Sequence, residues 1–102
     1  MYYNPLSLTN ERTKAPKLII QALCEEWPLS VTALHKRLNA RYSYPISYQG
    51  AHKTIRRMLK ENVLEKQDKH HYKISHQWVN ELDRFLTYIK NSYKNHRLEF
   101  PV

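Results

Sequence analysis

Residues 47–62 read Ser-Tyr-Gln-Gly-Ala-His-Lys-Thr-Ile-Arg-Arg-Met-Leu-Lys-Glu-Asn and carry the clearest helical pattern of the chain. At about 100° per residue, one broad sector of this helix is apolar and contains Tyr48, Ala51, Ile55, Met58 and Leu59. The opposite sector contains Gln49, Lys53, Arg56, Arg57 and Lys60. Ser47 is a suitable N-cap, because its hydroxyl accepts from the free N–H groups of the first turn, and Pro45 discourages an earlier start. The stretch therefore predicts an amphipathic helix with a well-defined N-terminus.

The polar sector of this helix is strongly basic. Four of its five side chains are cations and the fifth, Gln49, is an amide, whereas the only carboxylate of the stretch is Glu61, near its end. Glutamine and arginine pair bidentately with adenine and guanine edges in the major groove of DNA, which is wide enough for one helix. The pattern favours a helix that contacts DNA bases. The alternative is a solvated basic surface that only aids solubility.

The size and charge of the chain narrow the choice of partner. Its 102 residues, 41% of them apolar, predict one domain with a modest core. The formal net charge is +8, and most of the excess lies in residues 36–73, where ten Lys and Arg face three Asp and Glu. Such a region attracts a polyanion, usually nucleic acid and less often an anionic membrane. A membrane is disfavoured, because the basic segment also carries its own core-forming apolar face.

Targeting signals and cysteine usage predict the compartment. The sequence has no run of about 18 apolar residues and no charged-then-apolar signal peptide, so we expect a cytoplasmic, nucleoid-associated protein. Cys24 is the single cysteine and lies in an apolar-periodic segment, which predicts a buried thiol.

Two further helices are predicted before residue 47. Residues 1–13 have no period and are predicted to form an N-terminal arm. A helix is expected over residues 14–26, and Trp27-Pro28 ends it, because a residue before proline avoids the helical region. Ser30 caps a second helix over residues 31–42, whose apolar stripe is Val31, Leu34, Leu38 and Tyr42.

The second helix, the turn at residues 43–46 and the third helix have the layout of a helix-turn-helix. In that layout the first of the two helices crosses the DNA backbone and the other enters the groove. Cations beside the apolar stripe of the second helix are then predicted phosphate contacts, which fix register but carry no sequence information: Lys36, Arg37 and Arg41.

The period changes after Asn62. Residues 63–67 and 71–75 alternate in polarity and predict a β-hairpin with Asp68-Lys69-His70 as its polar tip. A two-stranded hairpin is marginal in water, so we expect it to pack on the helices. A first helix, a helix-turn-helix and a β-hairpin follow one another in the order that is typical of a winged helix.

Three segments carry a resemblance to a known family: Ile46-Ser47-Tyr48-Gln49-Gly50-Ala51-His52-Lys53, Leu59-Lys60-Glu61-Asn62-Val63-Leu64-Glu65-Lys66, and Tyr72-Lys73-Ile74-Ser75 followed by Trp78. Over roughly residues 17–93 the chain resembles small archaeal winged-helix transcriptional regulators of the ArsR-like and TrmB-like type. The resemblance implies a third helix in the major groove, with Gln49, Lys53 and Arg56 as base-contacting candidates. It also implies a wing that contacts the backbone or minor groove through Lys66, Lys69 and His70. Asn62 stands where relatives often have a helix-ending glycine, and asparagine also tolerates the left-handed conformation.

A last helix is predicted over residues 76–93, capped by Ser75. Its apolar residues recur at spacings of three and four and form a stripe that is wide for one small domain: Trp78, Val79, Leu82, Phe85, Leu86, Ile89 and Tyr93. We expect one edge to pack on the first helix and the other to meet a second copy in a two-fold dimer, with half-sites about 34 Å apart. The alternative is that the whole stripe is intramolecular core. Residues 94–102 are predicted to be a tail.

The complete predicted DNA-binding set is Lys36, Arg37, Arg41, Ser47, Tyr48, Gln49, His52, Lys53, Arg56, Arg57, Lys60, Lys66, Lys69 and His70. Within it, Tyr48 is expected in the core, either with its hydroxyl at a phosphate or as core alone, and His52 borders the apolar sector.

Metal binding and catalysis are disfavoured. The six histidines lack the paired spacings, commonly with cysteine, that zinc sites show, and there is one cysteine. One glycine excludes a glycine-rich phosphate loop, and no nucleophile elbow or paired carboxylates are present. We expect no enzyme activity, no cofactor and no small-molecule ligand.

These observations predict a mainly α protein with a small β-hairpin. Residues 14–75 form the winged helix-turn-helix domain, and residues 76–93 form the dimerisation helix. The predicted function is sequence-specific binding of double-stranded DNA by a homodimeric transcriptional regulator. The alternatives are an architectural, chromatin-type DNA binder of low sequence preference and a winged helix used as a protein-interaction module.

Overall fold

A computed structural model describes residues 14–96, and the expected arm at 1–13 and the end of the expected tail at 97–102 lie outside the described residues. The described chain is mostly helical, with one antiparallel hairpin, and this order is compatible with a winged helix. Its elements are α1 (Lys14–Glu25), α2 (Val31–Ala40), α3 (Tyr48–Lys60), β1 (Leu64–Lys66), β2 (Tyr72–Ile74) and α4 (His76–Asn95).

Three serine caps set the helix starts where the sequence predicts them. The Ser30 hydroxyl accepts from the N–H of Ala33 at 3.1 Å, and the Ser47 hydroxyl accepts from the N–H of Gly50 at 3.0 Å. Ser75 caps α4 in the same way. Each cap satisfies one of the N–H groups that the first turn leaves without an intrahelical partner.

The end of α3 is also set by a local conformation. Asn62 has a φ of 61°, in the left-handed region, and the N–H of the next residue, Val63, returns to the carbonyl of Met58 at 2.9 Å. This is the conformation that the sequence predicts for Asn62, because asparagine adopts it at low cost.

The core lies between α1, α2, α3 and the hairpin. Six large side chains are fully buried in it: Ile19, Leu23, Leu34, Leu38, Ile55 and Val63. Burial of each stabilises the fold by about 1.5–3 kcal/mol. Because Ala51, Ile55 and Met58 are the buried residues of α3, this packing turns the opposite face of α3 to solvent.

The hairpin is anchored to the rest of the domain by a contact that the sequence pattern does not predict. Within the hairpin, Leu64 pairs with Ile74 and Lys66 with Tyr72. Tyr72 also exchanges two backbone hydrogen bonds with Leu29, at 2.9 and 3.1 Å. The link between α1 and α2 therefore acts as a third, one-residue partner of the hairpin, which a two-stranded unit needs in water.

Two expectations about side chains near α1 and α2 are corrected. Cys24 is exposed and not buried, because it lies one residue beyond Leu23 and is turned away from the core side of α1. The second helix ends at Ala40 and not near Tyr42. Tyr42 is half-buried against the core and its hydroxyl donates to Glu25. Burial and this carboxylate together raise the pKa of Tyr42.

The last helix makes fewer intramolecular contacts than expected. Only Trp78 of α4 is buried, and Leu82 packs partly buried against the core. Val79, Phe85 and Leu86 remain 44–48% exposed, so the interpretation of the whole stripe as core is wrong within residues 14–96. The helix also continues to Asn95, two residues beyond the predicted end.

Candidate nucleic-acid interface

The outer face of α3 is a basic surface with one amide. Gln49, Lys53, Arg56, Arg57 and Lys60 are all exposed, as the helical pattern predicts. They project from a helix whose other side is held by buried Ala51, Ile55 and Met58. The core therefore fixes the direction in which these five side chains leave the protein.

One of these cations has an acidic neighbour on its own helix. Arg57 Nε lies 3.6 Å from Glu61 Oε1, one turn further along. The pair is solvent-exposed, so it contributes only about 0.3–0.5 kcal/mol. Because the pair is weak, it leaves Arg57 able to contact a phosphate.

An open groove of about 1140 Å³ runs along α3, and the start of α1 and the turn before α3 form its other border. Ala15, Pro16 and Tyr44 line that border. Lys14 Nζ lies 5.6 Å from the centre of the Tyr44 ring, a cation–π distance. The first residue of α1 thus adds positive charge beside α3. Sequence reasoning missed Lys14, because residues 1–35 have no net charge and nothing local indicates that α1 begins beside α3.

Tyr48 is exposed, so the expectation that it belongs to the core is wrong, whereas the expected contact of its hydroxyl with a phosphate stays a prediction. The residue is 46% exposed, because it is the first residue of α3 and lies at the edge of the apolar sector. Its ring meets the His35 ring edge-on, with centres 5.8 Å apart, and lies 6.2 Å from the His52 ring. Together His35, Tyr48 and His52 form an aromatic trio on the surface at the start of α3.

The trio is held by the turn between α2 and α3. His35 Nε2 lies 3.0 Å from the carbonyl oxygen of Ile46, and the Asn39 amide donates to the same oxygen at 3.0 Å. Both side chains leave the flank of α2 that faces α3, since residues 35 and 39 are one turn apart. Sequence reasoning considered His35 only as a metal candidate and missed this position.

The three cations that the sequence predicts on the second helix do not share one surface. Lys36 is exposed. Arg37 is paired with Glu26, and Arg41 Nη1 lies 2.9 Å from Glu25 Oε2. Both arginines therefore leave the flank of α2 that faces α1, opposite His35 and Asn39. A phosphate contact by Arg37 or Arg41 would compete with these ion pairs.

The hairpin tip presents the three predicted wing residues to solvent, because Lys66, Lys69 and His70 are all exposed. Asp68 orders the tip: its Oδ1 accepts from the backbone N–H of His70 at 2.9 Å and lies 2.8 Å from His71 Nδ1. The N–H of His70, with the His71 ring, lowers the pKa of Asp68. This hydrogen-bonded turn takes the place of the glycine turn that the sequence lacks.

Other classes of site were searched over the same residues. Within 14–96, no group of three or more His, Cys, Asp or Glu side chains is arranged to hold a metal ion. None of the helices in that range is long and apolar enough to cross a membrane.

Compared with known proteins, the chain matches no family model, no curated protein and no solved structure. The resemblance to archaeal winged-helix regulators therefore stays a prediction.

Proposed function

We propose that this protein is a homodimeric winged helix-turn-helix protein that binds double-stranded DNA at preferred sequences and regulates transcription. The observation that carries the proposal is the outer face of α3, where Gln49, Lys53, Arg56, Arg57 and Lys60 are all exposed. The buried side of α3 fixes that face relative to the domain. The conformational entropy of the helix is therefore lost when the protein folds, and binding does not have to order it again.

Within this face, the residues nearest the start of α3 are the proposed base contacts. Recognition helices contact base edges through their N-terminal residues, and Gln49, Lys53 and Arg56 lie on one side of the first three turns. Glutamine suits adenine, and arginine or lysine suits guanine. These three side chains therefore supply sequence preference.

The surrounding cations are the proposed phosphate contacts. Lys36 on α2, Lys14 at the start of α1 and Lys69 at the hairpin tip are exposed on three separate elements. Phosphate contacts of this kind fix orientation and make affinity fall steeply with salt. Arg37 and Arg41, which are paired with carboxylates of α1, contribute less in this proposal.

The second half of the proposal is a dimer formed through α4. Phe85 and Leu86 are 48% and 44% exposed, on a helix that continues well beyond its last buried residue. A second copy would cover this stripe, and two α3 helices related by a two-fold axis would contact two half-sites. Leu86→Asp places a charge in the stripe and should give monomers in sedimentation velocity without loss of helical signal.

The test of function is selection of bound duplexes from a random pool, followed by competition binding at several salt concentrations. A recovered consensus, with a specific site at least ~10³-fold tighter than random duplex, supports the proposal. Strong salt dependence with no consensus supports an architectural DNA binder instead. No duplex binding at low salt would exclude both and leave the winged helix as a protein-interaction module.

The proposed site of action follows from the partner. A DNA-binding regulator acts at the chromosome, so we place it in the cytoplasm, in association with the nucleoid. The proposal requires no cofactor, no metal and no enzymatic step.

A further inference from the structure

The last helix is anchored to the described core near its start. It has 20 residues, or about 30 Å at 1.5 Å per residue. Within residues 14–96, Trp78 and Leu82 are its residues in the core cluster, and thirteen residues follow Leu82 to the end of the helix. Phe85, Leu86 and Tyr88 in this part are 48%, 44% and 73% exposed.

The apolar stripe of α4 has a heptad pattern, in which Val79 and Leu86 are exposed and Leu82, Ile89 and Tyr93 are half-buried. Val79, Leu82, Leu86, Ile89 and Tyr93 alternate at spacings of three and four, which are the a and d positions of a two-helix seam. Asp83 and Lys90 occupy the e positions beside that seam. The g positions are Trp78, Phe85 and Ser92. One flank of the seam thus carries one acid and one base a heptad apart, and the other flank carries no charge.

We propose that α4 pairs with α4 of a second copy in antiparallel orientation. This deepens the proposed function by naming the partner and its direction, and it rests on the dimer half of that proposal and not on DNA binding. In an antiparallel pair, e positions face e positions. Asp83 of each copy then lies opposite Lys90 of the partner subunit, so the dimer contains two equivalent acid–base pairs.

A parallel pair would place these charges badly. In that orientation e positions face g positions, so Asp83 would face Trp78 of the partner subunit and Lys90 would face Phe85 of the partner subunit. Trp78 is already buried against its own core. The Asp83 carboxylate would therefore lie beside an apolar surface and would have no opposite charge there. Charge complementarity therefore selects the antiparallel pair.

The spacing of the stripe also sets the register. With the two-fold axis between residues 87 and 88, Leu86 packs on Ile89 of the partner subunit and Leu82 packs on Tyr93 of the partner subunit. Alternating a and d residues in each layer is what antiparallel seams require. The two Trp78 anchors then lie about 28 Å apart along the seam, at 1.5 Å per residue.

Disulfide trapping tests the orientation directly. In a Cys24→Ser background, which removes the single native cysteine, the variants Leu82→Cys and Tyr93→Cys are co-expressed and oxidised mildly without DNA. The antiparallel pair should give mainly the mixed disulfide between positions 82 and 93. A predominance of the two symmetric disulfides, 82 with 82 and 93 with 93, would overturn the proposal in favour of a parallel pair.

Charge reversal provides a second measurement on exposed residues that leaves the core untouched. Asp83→Lys and Lys90→Asp should each weaken dimerisation about 2- to 30-fold, the range for loss of two exposed ion pairs, and the double variant should recover the original constant. Loss without recovery in the double variant, or a wild-type chain that stays monomeric at all concentrations, would contradict the pairing. Since DNA is absent from both measurements, a monomer that still selects a DNA sequence would refute this inference and leave DNA binding intact.

Discussion

Arg41, the C-cap of α2, and Glu25 on α1 form an ion pair with Nη1 and Oε2 2.9 Å apart, and the other oxygen of the same carboxylate accepts from Tyr42. Glu26, the next residue, holds Arg37 in the same way. Two of the three cations that the sequence assigns to DNA on α2 are therefore engaged in joining α2 to α1. Their positive charge is largely compensated within the domain.

This pairing predicts different effects for two cations of the same region. Arg41→Ala should leave the salt dependence of DNA affinity almost unchanged and lower the free energy of unfolding by about 0.2–1 kcal/mol, the range of an exposed ion pair. Lys36→Ala, at a proposed phosphate contact, should reduce the salt slope by about one and leave unfolding unaffected. Binding titrations at four salt concentrations and urea unfolding measure both quantities. If the salt slope fell equally in the two variants, Arg41 would be a phosphate contact after all.

If Gln49 contacts a base, its removal should lower DNA affinity by an amount that depends on the DNA sequence. Gln49→Ala should cost roughly 1–3 kcal/mol on the selected site and relax preference at one base pair, because a bidentate amide pair is lost there. Lys69→Ala at the hairpin tip is the matched control, and it should weaken all duplexes alike. Competition binding against single-base variants of the site distinguishes the two. If Gln49→Ala weakened every duplex equally, Gln49 would be a backbone contact.

The parts of the fold that the sequence predicts correctly are the local ones. Ser30, Ser47 and Ser75 mark helix starts because a cap acts on N–H groups two or three residues away. The spacing of Ala51, Ile55 and Met58 predicts their burial because one helix face repeats every three or four residues. For the same reason, the five exposed residues of the α3 face were predictable.

The features that the sequence did not predict depend on which other helix or strand packs against a given residue. Cys24 and Tyr48 sit at the edges of apolar sectors, where the period alone does not tell whether a neighbour covers them. The backbone pairing of Leu29 with Tyr72 joins residues far apart in the chain and leaves no local pattern. Lys14 beside Tyr44 was missed for the same reason, since it depends on how α1 packs against α3.

The exposed aromatic trio predicts a contact by the Tyr48 hydroxyl. Because His35 and His52 flank the ring, its orientation is set before binding, and we expect the hydroxyl of this exposed residue at the start of α3 to donate to a phosphate. Tyr48→Phe should lose one hydrogen bond, about 0.5–1.5 kcal/mol of affinity, on all duplexes alike. Tyr48→Ala should lose more, since it also frees both histidines. Fluorescence anisotropy measures these affinities, and an unchanged affinity in Tyr48→Phe would show that the hydroxyl is not used.

The contact between Glu65 on β1 and the start of α4 predicts a stability that depends on pH. Glu65 Oε1 accepts from the backbone N–H of His76 at 2.6 Å, and this hydrogen bond, with that of the His76 ring, lowers the pKa of Glu65. Because the folded pKa lies below the unfolded one, ionised Glu65 stabilises the fold above its unfolded pKa, and this contribution is lost as the pH falls through the folded pKa.

Glu65→Gln should therefore lower the free energy of unfolding by about 0.3–1 kcal/mol at pH 7, the range for a carboxylate at a helix N-terminus. In acid the wild type and the variant should converge. Thermal unfolding by circular dichroism at both pH values measures this, with Glu81→Gln, an exposed carboxylate further along α4, as the control. An equal loss at both pH values would mean that the shape of the side chain, and not its charge, supports α4.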